Sequence, residues 1–132
     1  MTRHRILVVD DEPDMRLLLR LMLAGRGYEV AEAHRGEEAL EMAGGVDLVL
    51  LDLNLPGISG MDVLEAWSQQ GVIPQLPVLM LTADARPGLR EEALALGCHD
   101  YLSKPVPPKE LLDHIESALR PESSSTATVE AL

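Results

Sequence analysis

Short runs of consecutive apolar residues alternate along the chain with longer segments in which apolar residues recur at helical spacing. The first run is residues 6–9 (ILVV), and residues 14–24 follow it with one apolar face. A strand followed by a helix, repeated along a chain, predicts a parallel sheet because each helix carries the chain back to the start of the next strand. This alternation restricts the chain to the α/β class.

The alternation predicts five β-α units. Strands are predicted at residues 6–9, 28–33, 48–51, 77–81 and 98–103, and helices at residues 14–24, 36–43, 59–70, 89–96 and 110–119. The first, third and fourth strands are apolar throughout, as buried parallel strands are, whereas the second and fifth carry polar residues, as edge strands do. The sequence therefore predicts a doubly wound five-stranded parallel sheet of order 2-1-3-4-5 with helices on both faces, a flavodoxin-like α/β fold.

Local signals support individual elements of this prediction. Ser59 stands three residues before Asp62, the spacing of a capping pair at a helix start. Residues 86–88 (RPG) precede the fourth helix and should shorten or loosen its first turn, because Pro and Gly are helix breakers. Trp67, on the third helix, and Cys98, at the start of the fifth strand, are predicted to pack in the core.

The composition is that of one acidic domain. Residues 1–120 carry the alternating pattern, and residues 121–132, rich in Ser and Thr, are predicted to be a disordered tail or linker. The formal net charge of −11 argues against direct contact with nucleic acid or an anionic membrane surface. The single cysteine excludes an internal disulfide and fits a reducing cytoplasm, and no apolar stretch approaches the roughly 18 residues of a membrane span.

Polar residues follow four of the five predicted strands. They are Asp10, Asp11 and Glu12 after the first, Asp52 after the third, Thr82 and Asp84 after the fourth, and Ser103 at the end of the fifth with Lys104 after it. Because the carboxyl ends of parallel strands meet at one edge of a sheet, these side chains should converge. Clustered carboxylates repel unless a cation holds them, and an all-oxygen site suits Mg²⁺. A lysine beside them is a point charge for a phosphoryl oxygen, and a carboxylate can accept a phosphoryl group.

Each of these segments also has an ordinary interpretation when it is taken alone. Residues 10–12 could be the acidic first turn of a helix, where carboxylates favour the helix dipole. Residues 54–57 (NLPG) could be only a turn, and residues 104–105 (KP) are a common dipeptide before a helix. Their coincidence at matching strand ends favours a site.

Four segments together resemble the receiver domain of bacterial two-component response regulators: ILVVDDE, LVLLDLNLPGISG, VLMLTA and DYLSKP. The match runs from residue 4 to about residue 120, in the order and spacing of that family. One such segment would be weak support, whereas four in register are highly specific.

The resemblance implies a phosphoacceptor and a metal site. Asp52 matches the residue that accepts a phosphoryl group from a phosphohistidine. Asp11 and Asp52 match the carboxylates that bind Mg²⁺ (or Mn²⁺), and the main-chain carbonyl of Asn54 matches a third ligand. Asp10 matches the neighbour that helps to hold the metal, often through water.

The resemblance also implies a phosphate-binding and switching group. Lys104 matches the lysine that pairs with the phosphoryl group, and Pro105 matches a proline whose preceding cis bond would direct that lysine. Thr82 and Ala83 match the hydroxyl and the main-chain N–H that reach the phosphoryl group. Tyr101 matches an aromatic side chain that swings inward when Thr82 moves, although an edge-strand tyrosine is often only half-buried.

Regulation and partners follow from the same resemblance. The amide of Asn54 and the acid of Asp84 occupy positions that tune self-hydrolysis, because they can orient an attacking water. The donor would be a sensor histidine kinase or a histidine phosphotransfer protein. The output would be a downstream protein or an output domain absent from this chain, read through the face formed by helix four, strand five and helix five. That face could also support a phosphorylation-dependent homodimer.

Two alternatives stay open at this point. The first is a small aspartyl phosphatase of the haloacid-dehalogenase type, which usually carries a second Asp two positions after the nucleophile. Here the first strand ends in Asp-Asp-Glu, with no room for a substrate cap. The second is a receiver-like scaffold that is not controlled by phosphorylation. An incomplete site would favour it, whereas the acceptor, metal and lysine set is complete. The preferred prediction is a switch whose only chemistry is its own phosphorylation and dephosphorylation, and not an enzyme.

Overall fold

The structure, a computed structural model, describes residues 3–120. Within them, five strands form one parallel sheet of order β2-β1-β3-β4-β5: β1 (Arg5–Val9), β2 (Glu29–Ala33), β3 (Leu48–Leu51), β4 (Val78–Thr82) and β5 (Asp100–Ser103). The helices of this part of the chain are α1 (Pro13–Ala24), α2 (Gly36–Met42) with a short 3-10 turn after it (Ala43–Gly45), α3 (Gly60–Gln69), α4 (Leu89–Leu96) and α5 (Pro108–Leu119). The predicted fold class and strand order are confirmed. The predicted tail at residues 121–132 lies outside the described residues.

Two boundaries differ from the sequence prediction by two residues, and the others agree with it to within one residue. The last strand begins at Asp100 and not at Cys98, because the N–H of Cys98 donates to Ala93 O (3.1 Å) and closes the end of α4. The last helix begins at Pro108, two residues earlier than predicted. Proline suits a first helical position, since its fixed φ is already helical and no N–H is required there.

The start of α3 is the predicted capping pair. The hydroxyl of Ser59 accepts a hydrogen bond from the N–H of Asp62 (3.2 Å), and the N–H of Ser59 donates to the Asp62 carboxylate (3.0 Å). At the next residue, Gly60, a Cβ atom would collide with the main-chain carbonyl of Asp52. Only glycine therefore allows α3 to begin directly behind the end of β3.

The sheet separates two apolar layers. Side chains alternate along each strand, so Leu7 and Val9 face one layer and Ile6 and Val8 face the other. The first layer is covered by α2, α3 and α4 and contains the fully buried Trp67, as predicted, together with the buried Cys98. The second layer is covered by α1 and α5. No helix within residues 3–120 has the length and apolar character needed to cross a bilayer.

The strand register brings the predicted site residues to one edge of the sheet. Val9 pairs with Leu51, so the residues that follow them, Asp10 and Asp52, leave the sheet side by side. Thr82 pairs with Ser103, which places Lys104 just beyond the end of β4. The carboxyl edge of the sheet is therefore where the candidate site lies.

Candidate functional site

Three carboxylates meet at the carboxyl edge of the sheet. Asp10 and Asp11 follow β1 and Asp52 follows β3, and each offers an oxygen such that all three oxygens lie within 4.8 Å of one another. Asp10 and Asp52 are buried (2% and 8% exposed), whereas Asp11 is exposed. Oxygen ligands that are buried on one side and open to water on the other fit a small divalent cation that keeps part of its hydration shell. This cluster could hold a metal ion.

Lys104 lies beside the carboxylates. Its Nζ is 2.9 Å from Asp10 Oδ2 and 3.4 Å from Asp52 Oδ2, and the peptide bond between Lys104 and Pro105 is cis. Burial alone would lower the pKa of this ammonium group. The hydrogen bond to Asp10 and the negative charges of Asp52 and Asp10 outweigh burial, so the pKa of Lys104 is raised and the side chain stays charged. A protonated lysine therefore stands between the two buried carboxylates.

The carboxyl group of Asp52 has a raised pKa. Burial is the largest cause, because it disfavours the charged form, and the negative charge of Asp10 adds to it. The charge of Lys104 and the N–H of Asn54, which donates to Asp52 Oδ1 (3.2 Å), act in the opposite direction. A carboxylate that is poorly solvated in this way is a better nucleophile than an exposed one, because less hydration must be removed before it reacts.

Hydrogen bonds hold the turn that carries Asp10 in place. Asp10 Oδ1 accepts a hydrogen bond from the N–H of Glu12 (2.9 Å), and the main-chain carbonyl of Asp10 accepts one from Arg16 Nη1 (2.7 Å). The Nε of Arg16 also lies 3.4 Å from the carboxylate of Glu32 on β2. No local sequence pattern indicates this role of Arg16, because the contact joins a residue on α1 to a residue on the neighbouring strand.

The hydroxyl of Thr82 is fully buried at the end of β4. Its Oγ1 accepts a hydrogen bond from the N–H of Asp84 (3.1 Å), while the next residue, Ala83, is exposed. Tyr101 on β5 is 7% exposed, and its hydroxyl donates to the main-chain carbonyl of Asp84 (3.3 Å). Tyr101 is therefore packed against the β4–α4 loop and is more buried than the half-buried tyrosine that is common on an edge strand.

Asp84 connects this loop to the acceptor side of the site. Its Oδ2 accepts hydrogen bonds from Asn54 Nδ2 (3.2 Å) and from Arg86 Nη2 (2.6 Å). The hydrogen bonds from Arg86 are the largest cause that holds the pKa of Asp84 well below its usual range. Along the sequence, Arg86 is only part of the helix-breaking residues 86–88, because nothing local indicates that its side chain turns back to Asp84.

The comparison with known proteins identifies the class to which this fold and carboxylate cluster belong. The family model of the response regulator receiver domain matches residues 6–116. The chain belongs to this family, as the four sequence segments predicted, and is a receiver domain of two-component response regulators.

Individual relatives agree with this assignment. The chain is 40% identical over 132 residues to the transcriptional regulatory protein YkoG of Bacillus subtilis, covering 98% of this chain and 57% of that protein. It is 41% identical over 118 residues to the transcriptional regulatory protein CpxR of Escherichia coli, covering 89% and 50%. The solved structure of the chemotaxis protein CheY4 of Vibrio cholerae has a TM-score of 0.81 at 32% identity, over 89% of this chain and 100% of that one. The chain spans about half the length of the curated relatives it matches.

Proposed function

We propose that this receiver domain accepts a phosphoryl group from a phosphohistidine donor on the carboxylate of Asp52. The observation that carries the proposal is the position of this buried carboxylate, whose oxygen shares a 4.8 Å cluster with Asp10 and Asp11 and lies 3.4 Å from Lys104 Nζ. In the transfer, an Asp52 oxygen forms a bond to phosphorus as the bond from phosphorus to the donor nitrogen breaks, and the electron pair of that bond goes to the imidazole.

The same residues suit Mg²⁺ (or Mn²⁺). The carboxylates of Asp10, Asp11 and Asp52, together with the main-chain carbonyl of Asn54, would hold the ion. When bound, the ion supplies positive charge that neutralises the phosphoryl oxygens. A bound cation would add to the relief that Lys104 already gives to the mutual repulsion of the two buried carboxylates.

Lys104, Thr82 and Ala83 complete the proposed phosphate site. The charged ammonium of Lys104 would pair with a phosphoryl oxygen as a point charge. The Thr82 hydroxyl and the Ala83 N–H would donate to the other oxygens. For Thr82 this means a change of partner, since its Oγ1 accepts from the N–H of Asp84 in the described conformation.

The proposed output is a change at the surface formed by α4, β5 and α5. Hydrogen bonds connect Thr82 to the main-chain N–H of Asp84, and the main-chain carbonyl of Asp84 to the hydroxyl of Tyr101. A movement of Thr82 would therefore displace Tyr101, which packs beneath this surface. We propose that a sensor histidine kinase or a histidine phosphotransfer protein supplies the phosphoryl group in the cytoplasm. A downstream protein, an adjoining output domain or a second copy would read the surface, and the domain itself would not contact nucleic acid.

Intact mass after incubation with acetyl phosphate and Mg²⁺ tests the proposal. One phosphoryl group should be added to the wild type and none to D52A or to a sample in EDTA. The variant D11N should need on the order of 10-fold more Mg²⁺, or show no labelling at all, because it loses a charged ligand. The matched control is E12Q, which removes the adjacent carboxylate that lies outside the three-residue cluster and should label normally.

Failure of labelling would be followed by beryllofluoride, which mimics the phosphoryl group. Backbone NMR signals of Thr82 and Lys104 should then shift in a Mg²⁺-dependent manner. If neither the mass adduct nor the shifts appear, the phosphorylation switch is wrong and the scaffold alternative is preferred. Repeated turnover of a small phosphate ester would instead favour the aspartyl phosphatase.

A further inference from the structure

A chain of hydrogen bonds leads from the proposed acceptor to an exposed arginine. The main-chain N–H of Asn54 donates to Asp52 Oδ1 (3.2 Å), and its side-chain Nδ2 donates to Asp84 Oδ2 (3.2 Å). Arg86 donates to the same carboxylate through Nη2 (2.6 Å to Oδ2) and Nε (2.9 Å to Oδ1). The β3–α3 loop and the β4–α4 loop are therefore tied together directly beside Asp52.

Arg86 and Asn54 together occupy the hydrogen-bonding capacity of the Asp84 carboxylate. Besides the contacts above, the main-chain N–H of Arg86 donates to Oδ1 (3.1 Å), and Arg86 Nε also reaches Oδ2 (3.1 Å). A carboxylate offers about four lone-pair sites, so little capacity is left for a water molecule. The Asp84 side chain is only 10% exposed, whereas that of Arg86 is 69% exposed and covers it.

A free carboxylate at this position would have a chemical consequence. An aspartyl phosphate is hydrolysed when a water oxygen bonds to phosphorus, the bond from phosphorus to the Asp52 oxygen breaks, and the water gives up a proton. Asp84 is linked to the acceptor Asp52 through hydrogen bonds of one intervening residue, Asn54. A carboxylate placed in this way can orient the water and take its proton as a general base. The contacts with Arg86 withhold the Asp84 carboxylate from that role.

We propose that Arg86 is a positioning residue that lengthens the life of the phosphoryl group on Asp52 by keeping the Asp84 carboxylate occupied. The inference rests on the proposed function, because it concerns the loss of a phosphoryl group that Asp52 must first accept. It predicts that the lifetime of the signal is set in part by an exposed arginine outside the proposed metal and phosphate ligands.

The test is the rate at which the purified, phosphorylated full chain loses its mass adduct after acetyl phosphate is removed. R86A should lose the group on the order of 10-fold faster, because Asp84 becomes free to act on water. R86K should be intermediate, since an ammonium group is a point charge and cannot span both oxygens. The double variant R86A/D84N should return toward the wild-type rate, because an amide cannot take the proton.

The matched control is R26A, which removes the same charge at the opposite edge of the sheet, where Arg26 pairs with Glu116 across 3.7 Å. Its rate should equal that of the wild type. In the unphosphorylated protein, the side-chain amide signal of Asn54 should shift in R86A and stay in place in R26A, which tests the bridge independently of hydrolysis.

Any other result would contradict a specific part of the proposal. If the wild type shows neither a mass adduct nor Mg²⁺-dependent NMR shifts with beryllofluoride, the proposed function fails and the inference falls with it. If labelling is normal and R86A keeps the wild-type rate, the proposed function stands and the role of Arg86 is wrong. A rate that stays fast in R86A/D84N would mean that Arg86 acts through its charge and not through Asp84, and an unmoved Asn54 signal would mean that no bridge exists.

Discussion

At the scale of single residues, the fold keeps a carboxylate where it is poorly solvated. Asp52 is buried beside a second buried carboxylate, Asp10. Burial, together with the charge of Asp10, raises the pKa of Asp52 more than Lys104 and the N–H of Asn54 lower it. An acid with a raised pKa contributes to stability below its unfolded pKa, and this contribution is lost as the pH rises through the folded pKa. At neutral pH the ionised side chain of Asp52 is therefore a cost to the fold.

The first prediction follows from the destabilising effect of ionised Asp52 at neutral pH. D52N should raise the free energy of unfolding by on the order of 1 kcal/mol at a pH of about 7.5, and the gain should shrink as the pH falls toward the pKa of Asp52, where the wild type becomes protonated. Urea denaturation in EDTA, followed by Trp67 emission at several pH values, measures it. The exposed-site control E65Q should show no such pH-dependent gain. A variant less stable than the wild type at neutral pH would show that pairing with Lys104 outweighs burial.

At the scale of elements, α3 and α4 begin in contrasting ways. The first turn of α3 is closed by the reciprocal hydrogen bonds of Ser59 and Asp62, and four residues of this helix are buried. The helix α4 begins after Gly88, which has a φ of 86° and no side chain that could cap the helix. Ala93 is the one buried residue of α4. The element behind the acceptor is thus capped and well buried, whereas α4 buries less of its surface. The first turn of α4 is nevertheless closed, because the N–H of Glu92 donates to Gly88 O (3.0 Å), so the loosening expected from residues 86–88 stays a prediction.

The second prediction concerns the cap of α3. S59A should lower the free energy of unfolding by about 1 kcal/mol, because the Asp62 N–H loses its partner at the helix start. The matched control is S68A, an exposed serine in the same helix, which should change stability by no more than about 0.5 kcal/mol. Urea denaturation of the two variants compares them directly, and equal effects would contradict the role of the cap.

At the scale of the whole molecule, one sheet is shared by two apolar layers. Leu64 on α3 is fully buried in one layer and Ile115 on α5 is fully buried in the other. Because strands such as β1 contribute side chains to both layers, neither layer can open without disturbing the other. We therefore expect cooperative unfolding of the described domain.

The third prediction tests that cooperativity. L64A and I115A should each lower the free energy of unfolding by about 2–5 kcal/mol through loss of buried side-chain volume. In both variants, the unfolding midpoints from circular dichroism and from the emission of Trp67 should coincide. Trp67 lies in the layer of Leu64, so a change in the circular dichroism midpoint of I115A without a matching change in emission would show that the layers unfold separately.

The sequence by itself determined the fold class, the strand order, the edge strands, the cap at Ser59 and the edge of the sheet where Asp10, Asp11, Asp52, Thr82 and Lys104 gather. Each of these follows from a local pattern (the periodicity and polarity of the segments and the capping spacing of Ser59 and Asp62) or from the rule that parallel strands end at a common edge. Only the tertiary structure decided that Lys104 lies closer to Asp10 than to Asp52, that Tyr101 is buried against the β4–α4 loop, and that Arg16 and Arg86 reach site residues. Some of these contacts join residues on different loops, and others are made by long side chains that fold back toward the site. Their distances depend on how the helices pack on the sheet, and no pattern along the chain encodes that packing.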